Sequence, residues 1–414
     1  MTKTDVVIVG GGAVGLCCAW YLRQTGRDVT VVEAGTIGVG ASAGNAGMIV
    51  PSHIVPLAAP GVIGQGLRWL LNASSPFYIK PRLDLGLLRW LWQFRAHCTA
   101  AHVARSIPVL RDLSLASVAL FDGLRDKAAI PDIGWAQTGL MMLHRTAKSE
   151  KANRQLAQQA EEAGLRIARL DRDAALAYEP HLKGEFTGGV LFEQDGRVDP
   201  DAMLSGLKHA LADAGVTLHE QTQVRHIQAG GSAPHVQTSA GNLEAAEVVI
   251  AAGAWSPALL RRLGRRLPVQ PAKGYSLTVD TPAHPLRTPL ILTDDKVTVT
   301  PMPGKIRFAG TLALAGFDPS VDAKRAAPIR AQAQLYVPEA SDLTTAPAWS
   351  GYRPCSPDGL PFIGRVPGLR GVSVATGHGM MGVTLAPITG RLIADELTGL
   401  PPTLPLTPFA VDRL

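Results

Sequence analysis

The sequence predicts an α/β fold, α+β when the whole chain is counted: a Rossmann-type domain, discontinuous in sequence, with a mixed-sheet domain inserted into it. Three observations carry this reading. At the N-terminus Val6-Val7-Ile8-Val9 runs into Gly10-Gly11-Gly12-Ala13-Val14-Gly15, and Glu33 follows 18 residues after Gly15. In the middle, Val248-Val249-Ile250-Ala251-Ala252-Gly253-Ala254-Trp255 has the continuous apolar pattern of a buried parallel strand that ends in small residues. Near the end, Gly371-Val372-Ser373-Val374-Ala375-Thr376-Gly377-His378-Gly379-Met380-Met381-Gly382 reads as strand, glycine loop and the start of a helix.

The first stretch is one mechanical device. A β-branched run makes the strand, and glycines spaced G-x-G-x-x-G follow it. Gly10 permits the tight turn, Gly12 lets backbone approach a pyrophosphate, and Gly15 lets the helix pack closely on the strand. Ala13 and Val14 open that helix, whose N-terminal N–H groups and partial positive charge favour an anion. It is expected over 13–25, with Gly26 ending it. Glu33, followed by Ala34, ends the strand Val29-Thr30-Val31-Val32 and can accept hydrogen bonds from a ribose diol. An adenine dinucleotide site is the expectation.

Composition narrows the class. With 414 residues, 46% of them hydrophobic, the chain can bury a large core and divide into two domains. Forty basic against 34 acidic residues give a net charge of +6 with no run of five like charges, so no nucleic-acid partner is expected. The four cysteines (Cys17, Cys18, Cys98, Cys355) form no CxxC pair and the histidines no cluster at metal spacing, so neither a disulfide framework nor a metal site is expected. The apolar N-terminal residues are needed as the first strand rather than as a signal peptide. No uncharged apolar run reaches the ~18 residues of a spanning helix. The expected location is cytoplasmic, peripheral at the inner membrane at most.

Along the chain, Gly38-Val39-Gly40-Ala41-Ser42-Ala43-Gly44-Asn45-Ala46-Gly47-Met48 is too small and polar for core and reads as backbone closing around a ligand. From about Pro56 to Ala129 the sequence is rich in Leu, Trp and Arg at helical spacing. Residues 147–164 form an amphipathic helix capped by Gly164. Gly189-Val190-Leu191-Phe192, then Asp199-Pro200-Asp201 with a helix over 201–214, lead to strands near 216–228, and further strands fill 268–312. The expected division is 1–57, 189–262 and 345–414 for the dinucleotide, with 58–188 and 263–344 as the substrate or cap domain. A discontinuous arrangement of this kind puts the site at a domain interface.

A second glycine fingerprint would mark a separate NAD(P) site, but Gly230-Gly231 has neither the strand before nor the helix after. One dinucleotide is therefore expected. Beyond the N-terminal fingerprint come, in order, Ser42-Ala43-Gly44-Asn45-Ala46-Gly47-Met48, Ala251-Ala252-Gly253-Ala254-Trp255-Ser256 and Lys273-Gly274-Tyr275-Ser276-Leu277. Gly351-Tyr352-Arg353-Pro354, Ser356-Pro357-Asp358-Gly359-Leu360-Pro361 and Gly377-His378-Gly379 complete the series. It resembles the FAD-dependent D-amino-acid oxidase and dehydrogenase superfamily over essentially the whole chain. It is most similar to bacterial D-amino-acid dehydrogenases of the branch that includes D-hydroxyproline dehydrogenases. The resemblance implies FAD, held non-covalently. Counted back from Pro357-Asp358, the place of the flavin-linked cysteine in sarcosine-oxidase-like relatives falls near Gly351, not on Cys355. It also implies hydride transfer from Cα of a small D-amino or imino acid to flavin N5. No side-chain acid or base is expected to be catalytic, because a neutral amine needs only placement, with the reacting atoms about 3–3.5 Å apart.

The same resemblance distributes roles. FAD contacts are implied at Gly10, Gly12, Ala13, Val14, Gly15, Glu33 and Ala34, and at Ala41, Ser42, Asn45, Ala46, Gly47 and Met48. Val224 is similar to a strand residue whose backbone reads the adenine, and Gly253, Trp255 and Gly274 pass beside the cofactor. Gly379, Met380, Met381, Gly382, Val383 and Thr384 hold the isoalloxazine, with N–H groups that stabilise charge at its N1–C2=O end. Four residues are candidates for the substrate. Arg353 clamps its carboxylate bidentately, or forms a structural ion pair with Asp358. Tyr275 donates a hydrogen bond to it, or packs as an amphipathic aromatic. His53 departs from the short sequence many amino-acid dehydrogenases carry there, and tunes substrate choice or is structural. His378 faces flavin or substrate, or is a loop histidine bonded to backbone. Cys17, Cys18 and Cys355 are expected as packing residues.

Without an NAD(P) site the electrons pass to oxygen, a quinone or a protein carrier. The helical stretch from Leu83 to Arg95 mixes aromatics and arginines, which reads first as core packing between domains and second as a helix docking a bilayer or an acceptor. The expected reaction is oxidation of 4-hydroxy-D-proline or D-proline to the imine, with electrons passed to a respiratory or artificial acceptor. The alternatives are a glycine- or sarcosine-type amine oxidase making hydrogen peroxide, and a flavin-binding electron-transfer subunit of a hetero-oligomer.

Overall fold

The computed structural model describes residues 2–64, 77–80, 82–127, 130, 132–231, 233–340 and 343–414. Parts of the expected 58–188 and 263–344 segments therefore lie outside the described residues.

Five strands make the parallel centre of an eight-stranded sheet, in the spatial order Val372–Thr376, Gly241–Ile250, Thr2–Val9, Val29–Val32 and Thr217–His219. Val7 is paired with Val248 on one side and Thr30 on the other, which explains why these runs are apolar without alternation. The helix Ala13–Gln24 follows the first strand, and Gly26 leaves it with φ +83°. The last helix, Ala386–Thr398, lies directly on it. A Cβ at Gly390 would sit 2.5 Å from the Cys17 carbonyl carbon, so only glycine permits this crossing. The glycine loop does not open straight into that helix. Leu385 N–H donates to Met381 at 2.8 Å and Ala386 N–H to Val383 at 3.3 Å, so turns separate the loop from the helix. The amphipathic helix runs Ala147–Glu162 behind a Thr146–Ser149 capping box, with Gly164 at φ +81° beyond it.

The second sheet has nine strands. Ala348–Cys355, Gln270–Asp280, Lys305–Leu314, Val297–Met302, Leu290–Leu292, Leu140–His144, Gly188–Phe192 and Ile167–Asp171 lie in that order, and Phe77–Ile79 pairs with Lys305–Leu314. Two expected boundaries cut across it, because Gly188–Phe192 and Ala348–Cys355 hydrogen-bond into this sheet rather than the first. A short apolar run carries no mark of which sheet it will join.

The core-packing reading of the Leu83–Arg95 stretch holds for one face of it, where Leu91 and Phe94 pack partly buried beside Leu87 and Trp90. In the helix Leu85–His97 only Leu87 and Trp90 are buried, against Ala272, Leu314 and Cys355, while Leu83, Leu85, Leu88 and Trp92 are exposed. Apolar residues run around more of this helix than the strands under Leu87 and Trp90 cover. Among the described residues no helix is long and apolar enough to cross a membrane.

Candidate active site between the two sheets

The N-terminal device is built as its glycines demand. Gly10 has φ +115°, and a Cβ on it would lie 2.5 Å from the Ala251 carbonyl oxygen. A Cβ on Gly15 would lie 1.9 Å from the Gly10 carbonyl oxygen. The helix therefore reaches the strand only because both residues lack side chains. The Glu33 carboxylate accepts from Gly11 N–H at 2.8 Å and Gly35 N–H at 2.9 Å, which holds it at the strand end. Ala34 beside it is exposed, and Val224 lies two residues beyond Thr222, whose N–H donates to the Glu33 carbonyl at 2.8 Å. The first-turn N–H groups have no helical acceptor, although Ala13 N–H finds the Ser42 hydroxyl at 3.1 Å. This bare-backbone cradle at a helix N-terminus suits a pyrophosphate.

Residues 41–48 are gripped by the second sheet. A Cβ on Gly44 would lie 2.1 Å from the Trp349 indole, and the Ser276 hydroxyl donates to the Gly44 carbonyl at 3.1 Å. Asn45 Oδ1 accepts from Gly47 N–H at 2.8 Å, Ala46 lies between them, and Met48 pairs with Arg197. Arg307 is buried and donates to the carbonyls of Ala43 at 2.6 Å and Asn45 at 2.7 Å, and to Asp201 at 3.0 Å. Sequence reasoning missed it. Its only sign was a lone arginine inside the apolar strand pattern Ile306-Arg307-Phe308.

Arg353 sits across from Ala272 in a ladder that also pairs Gly274 with Gly351 and Ser276 with Trp349, so its side chain shares the face that meets Gly44. A Cβ on Gly274 would lie 2.4 Å from the guanidinium carbon, so the arginine lies over bare backbone. Nη1 donates to the Thr311 carbonyl at 2.8 Å. Thr311 has φ +61° within a bulge of Lys305–Leu314, an unfavourable conformation for a β-branched residue that aims this carbonyl. The alternative partner is taken: Asp358 pairs with Arg413 at 2.7 and 3.0 Å. Arg353 makes no ion pair among the described residues. Burial lowers its pKa, yet the residue keeps some accessible surface.

The other substrate candidates separate. Tyr275 points to the opposite face of its strand, is 4% exposed, and lies in the core under the Lys273 ammonium, 5.7 Å from its ring centre. His378 is buried with Nε2 3.0 Å from the Thr389 hydroxyl, and burial lowers its pKa to about 3. It therefore serves as a neutral link to the last helix. His53 remains half-buried beside the cofactor loop, lowered by burial to about 4. Its Nδ1 is 3.3 Å from the Ser52 hydroxyl, which in turn lies 2.5 Å from Asp195 Oδ2, while Ser52 N–H donates to Asp195 Oδ1 at 2.9 Å. Asp195 is 1% exposed, and burial pushes it up to about 8. Ser52 and Asp195 carried no sequence signal, because they are 143 residues apart.

Three segments converge here. Thr384 Oγ1 donates to the Met48 carbonyl at 3.0 Å, and Gly379 N–H to the Pro354 carbonyl at 2.8 Å. Pro56 packs against Gly359, where a Cβ would lie 2.9 Å away. Met381, Val383 and Thr384 are buried, whereas Met380 is exposed and Gly382 partly so. Trp255, next after Gly253 and Ala254, stacks on Phe317 at 5.2 Å and meets Tyr352 edge-on at 5.6 Å. Cys355 is buried with its thiol pushed up to about 11, and Gly351 offers no thiol for a covalent link.

A family profile described as DAO, FAD dependent oxidoreductase, matches residues 5–396. The chain belongs to this family. FAD is its cofactor, and a dinucleotide would fit the bare-backbone cradle of Gly10 to Gly15 at the helix N-terminus. The chain is 36% identical to a D-amino acid dehydrogenase of Vibrio vulnificus over 95% of each chain. It is 33% identical to a D-amino acid dehydrogenase of Cereibacter sphaeroides over 99% of this chain and 95% of that one. Among solved structures it is similar to glycine oxidase from Geobacillus kaustophilus, with a TM-score of 0.81, 29% identity and complete coverage of both chains.

Proposed function

We propose that this flavoenzyme is a D-amino-acid dehydrogenase that oxidises 4-hydroxy-D-proline or D-proline to the cyclic imine. The observation that carries the reading is Arg353, a buried guanidinium over the bare backbone of Gly274 that pairs with no carboxylate among the described residues. Such a group calls for an anion, and an α-carboxylate matches its fork bidentately. The relatives named D-amino acid dehydrogenase, similar along nearly the whole chain, support the D-series. Bound FAD supplies the hydride acceptor. Arg353 then binds and orients the substrate, and the Thr311 carbonyl holds one of its donors. We assign His53, whose neutral ring is held through Ser52 to Asp195, to the amine end of the substrate. Electrons leave to a respiratory or artificial acceptor, a quinone or protein carrier, in the cytoplasm beside the inner membrane. A proline-type substrate yields a cyclic imine, whereas a primary amine yields one that water opens to a 2-oxo acid and ammonia.

The test is an anaerobic absorbance titration of the yellow protein with 4-hydroxy-D-proline, its L-epimer and simple D-amino acids. Bleaching by the D-imino acids and not the L-epimer is expected. No bleaching by any D-amino or imino acid overturns the reading. The likeness to glycine oxidase favours a second reading, an oxygen-using amine oxidase, which stoichiometric hydrogen peroxide in air would select.

A further inference from the structure

Asp195 and Ser52, each buried, form a row of polar groups that ends at the half-buried ring of His53. Ser52 N–H donates to Asp195 Oδ1 at 2.9 Å, and the Ser52 hydroxyl stands 2.5 Å from Oδ2 and 3.3 Å from His53 Nδ1. The backbone N–H fixes the sense of the row. It needs an acceptor at Oδ1, so a proton held by Asp195 sits on Oδ2 and points at the Ser52 oxygen. The order is not that of an activated serine, in which the histidine stands between acid and hydroxyl. His53 N–H is bound to the Val50 carbonyl at 3.0 Å, while its ring Nε2 meets no partner among the described residues. The charged groups around the row are engaged elsewhere. Glu193 pairs with Arg166 at 3.1 Å, Arg197 donates to the Gly134 carbonyl at 3.3 Å, and Asp199 pairs with Lys305 at 3.0 Å. On the converging segments Asp358 pairs with Arg413, His378 meets Thr389, and Arg353 turns to the Thr311 carbonyl. Burial and Ser52 are what act on Asp195, and burial on His53.

Two arrangements of hydrogens satisfy this row, and they differ at its outer end. With Asp195 protonated, Oδ2–H donates to Ser52, the Ser52 hydroxyl donates to His53 Nδ1, and the ring carries its proton on Nε2. With Asp195 ionised, the Ser52 hydroxyl turns to Oδ2, Nδ1–H donates to Ser52, and Nε2 presents a lone pair. One proton is lost in all. Nε2 releases its own to solvent, Ser52 passes its proton to Nδ1, and Asp195 passes its proton to Ser52. We propose that Asp195, through the Ser52 hydroxyl, sets which nitrogen of His53 carries the proton, and so whether the ring offers the substrate amine an N–H or a lone pair. Asp195 and Ser52 are then positioning residues. The amine half of this statement rests on the proposed function, which puts His53 at that end of the substrate. Hydride transfer needs the lone pair of the amine for the new C=N bond. A ring lone pair accepts an amine N–H and leaves the amine lone pair free, whereas a ring N–H competes for it. The ionised row is therefore the productive one.

The test reads the switch without substrate, by long-range proton–nitrogen NMR of the histidine-labelled holoenzyme across neutral to alkaline pH. The His53 signals are assigned by their loss in His53→Gln. Wild type is expected to carry the ring proton on Nε2 at the neutral end and on Nδ1 at the alkaline end, changing over at about pH 8. In Asp195→Asn the Ser52 N–H holds the amide oxygen, so the amide N–H faces the Ser52 hydroxyl at every pH and Nε2–H persists. Ser52→Ala keeps the backbone bond and removes the link, and should uncouple the ring from pH over this range. A wild-type tautomer that does not change, or one that changes alike in Asp195→Asn or Ser52→Ala, overturns the proposal. The consequence for the amine is read from the anaerobic bleaching rate with D-proline, as the ratio of wild type to Asp195→Asn at each pH, in which ionisation of the substrate cancels. That ratio should rise about tenfold toward alkaline pH, the worth of one hydrogen bond. A flat ratio beside an intact tautomer change overturns the role at the amine. No bleaching by any D-amino or imino acid overturns the proposed reaction instead, and the NMR result stands apart from it.

Discussion

Replacing Arg353 by alanine removes the one side chain on which the substrate reading stands. Its guanidinium commits Nη1 to the Thr311 carbonyl and pairs with no carboxylate among the described residues, which leaves the second nitrogen edge for a ligand. Truncating one partner of a buried, hydrogen-bonded charge pair costs about 2–5 kcal/mol. At about 1.4 kcal/mol per factor of ten, that is roughly 30- to 4,000-fold in substrate Kd. The free protein loses no ion pair, so its melting temperature should hold or rise. Arg353→Lys keeps the charge and loses the fork, and should fall between the two. The assay is the anaerobic titration, with Kd taken from the substrate dependence of bleaching and FAD content checked first. A Kd in Arg353→Ala within about twofold of wild type, the scatter of an unimportant surface change, would refute the clamp.

Three further perturbations test the surroundings. Burial holds Asp195 up to about 8 against an ordinary 3.8, so the folded state keeps a proton that the unfolded chain loses as pH rises through about 4. Its contribution is therefore fully present below about pH 4 and is lost as pH rises to about 8, at most about 6 kcal/mol in all. Asp195→Asn should melt like wild type near pH 4 and higher than wild type at pH 8; parallel melting curves across that range would count against the buried acid. Arg307→Met strands the Ala43 and Asn45 carbonyls, so FAD should be lost on gel filtration at a cost of about 3–5 kcal/mol, and undiminished FAD affinity would exclude the loop-holding role. Gly15→Ala places a Cβ 1.9 Å from the Gly10 carbonyl and should yield colourless, destabilised protein, by at least about 2 kcal/mol; a yellow, stable variant would contradict the close packing.

The site was legible in unequal parts. Glu33 and the 41–48 loop appear where spacing and small residues pointed, because each serves the backbone within a few residues or across adjacent strands. Tyr275 was ambiguous because strand parity decides its face, and the pairing with Ala348–Cys355 that sets the parity is not written locally. His378 read as facing flavin or substrate or as a loop histidine bonded to backbone, yet its ring nitrogen meets the Thr389 hydroxyl on the last helix. The helix Leu85–His97 has the composition of a core element, and only the three-dimensional neighbourhood shows that it buries Leu87 and Trp90 while Leu85, Leu88 and Trp92 stay exposed.

What the sequence determined by itself was the strand–glycine–helix device and with it the cofactor class. Its requirements are steric and short-range: a positive φ at Gly10, no Cβ at Gly15, an acid at the next strand's end. Only the tertiary structure decided that Asp358 goes to Arg413 and not to Arg353, and that Ser52 meets Asp195 beside His53. Those outcomes depend on which distant segments the two sheets bring within about 3 Å. A charged residue in a sequence carries its chemistry, but its partner is chosen by the fold.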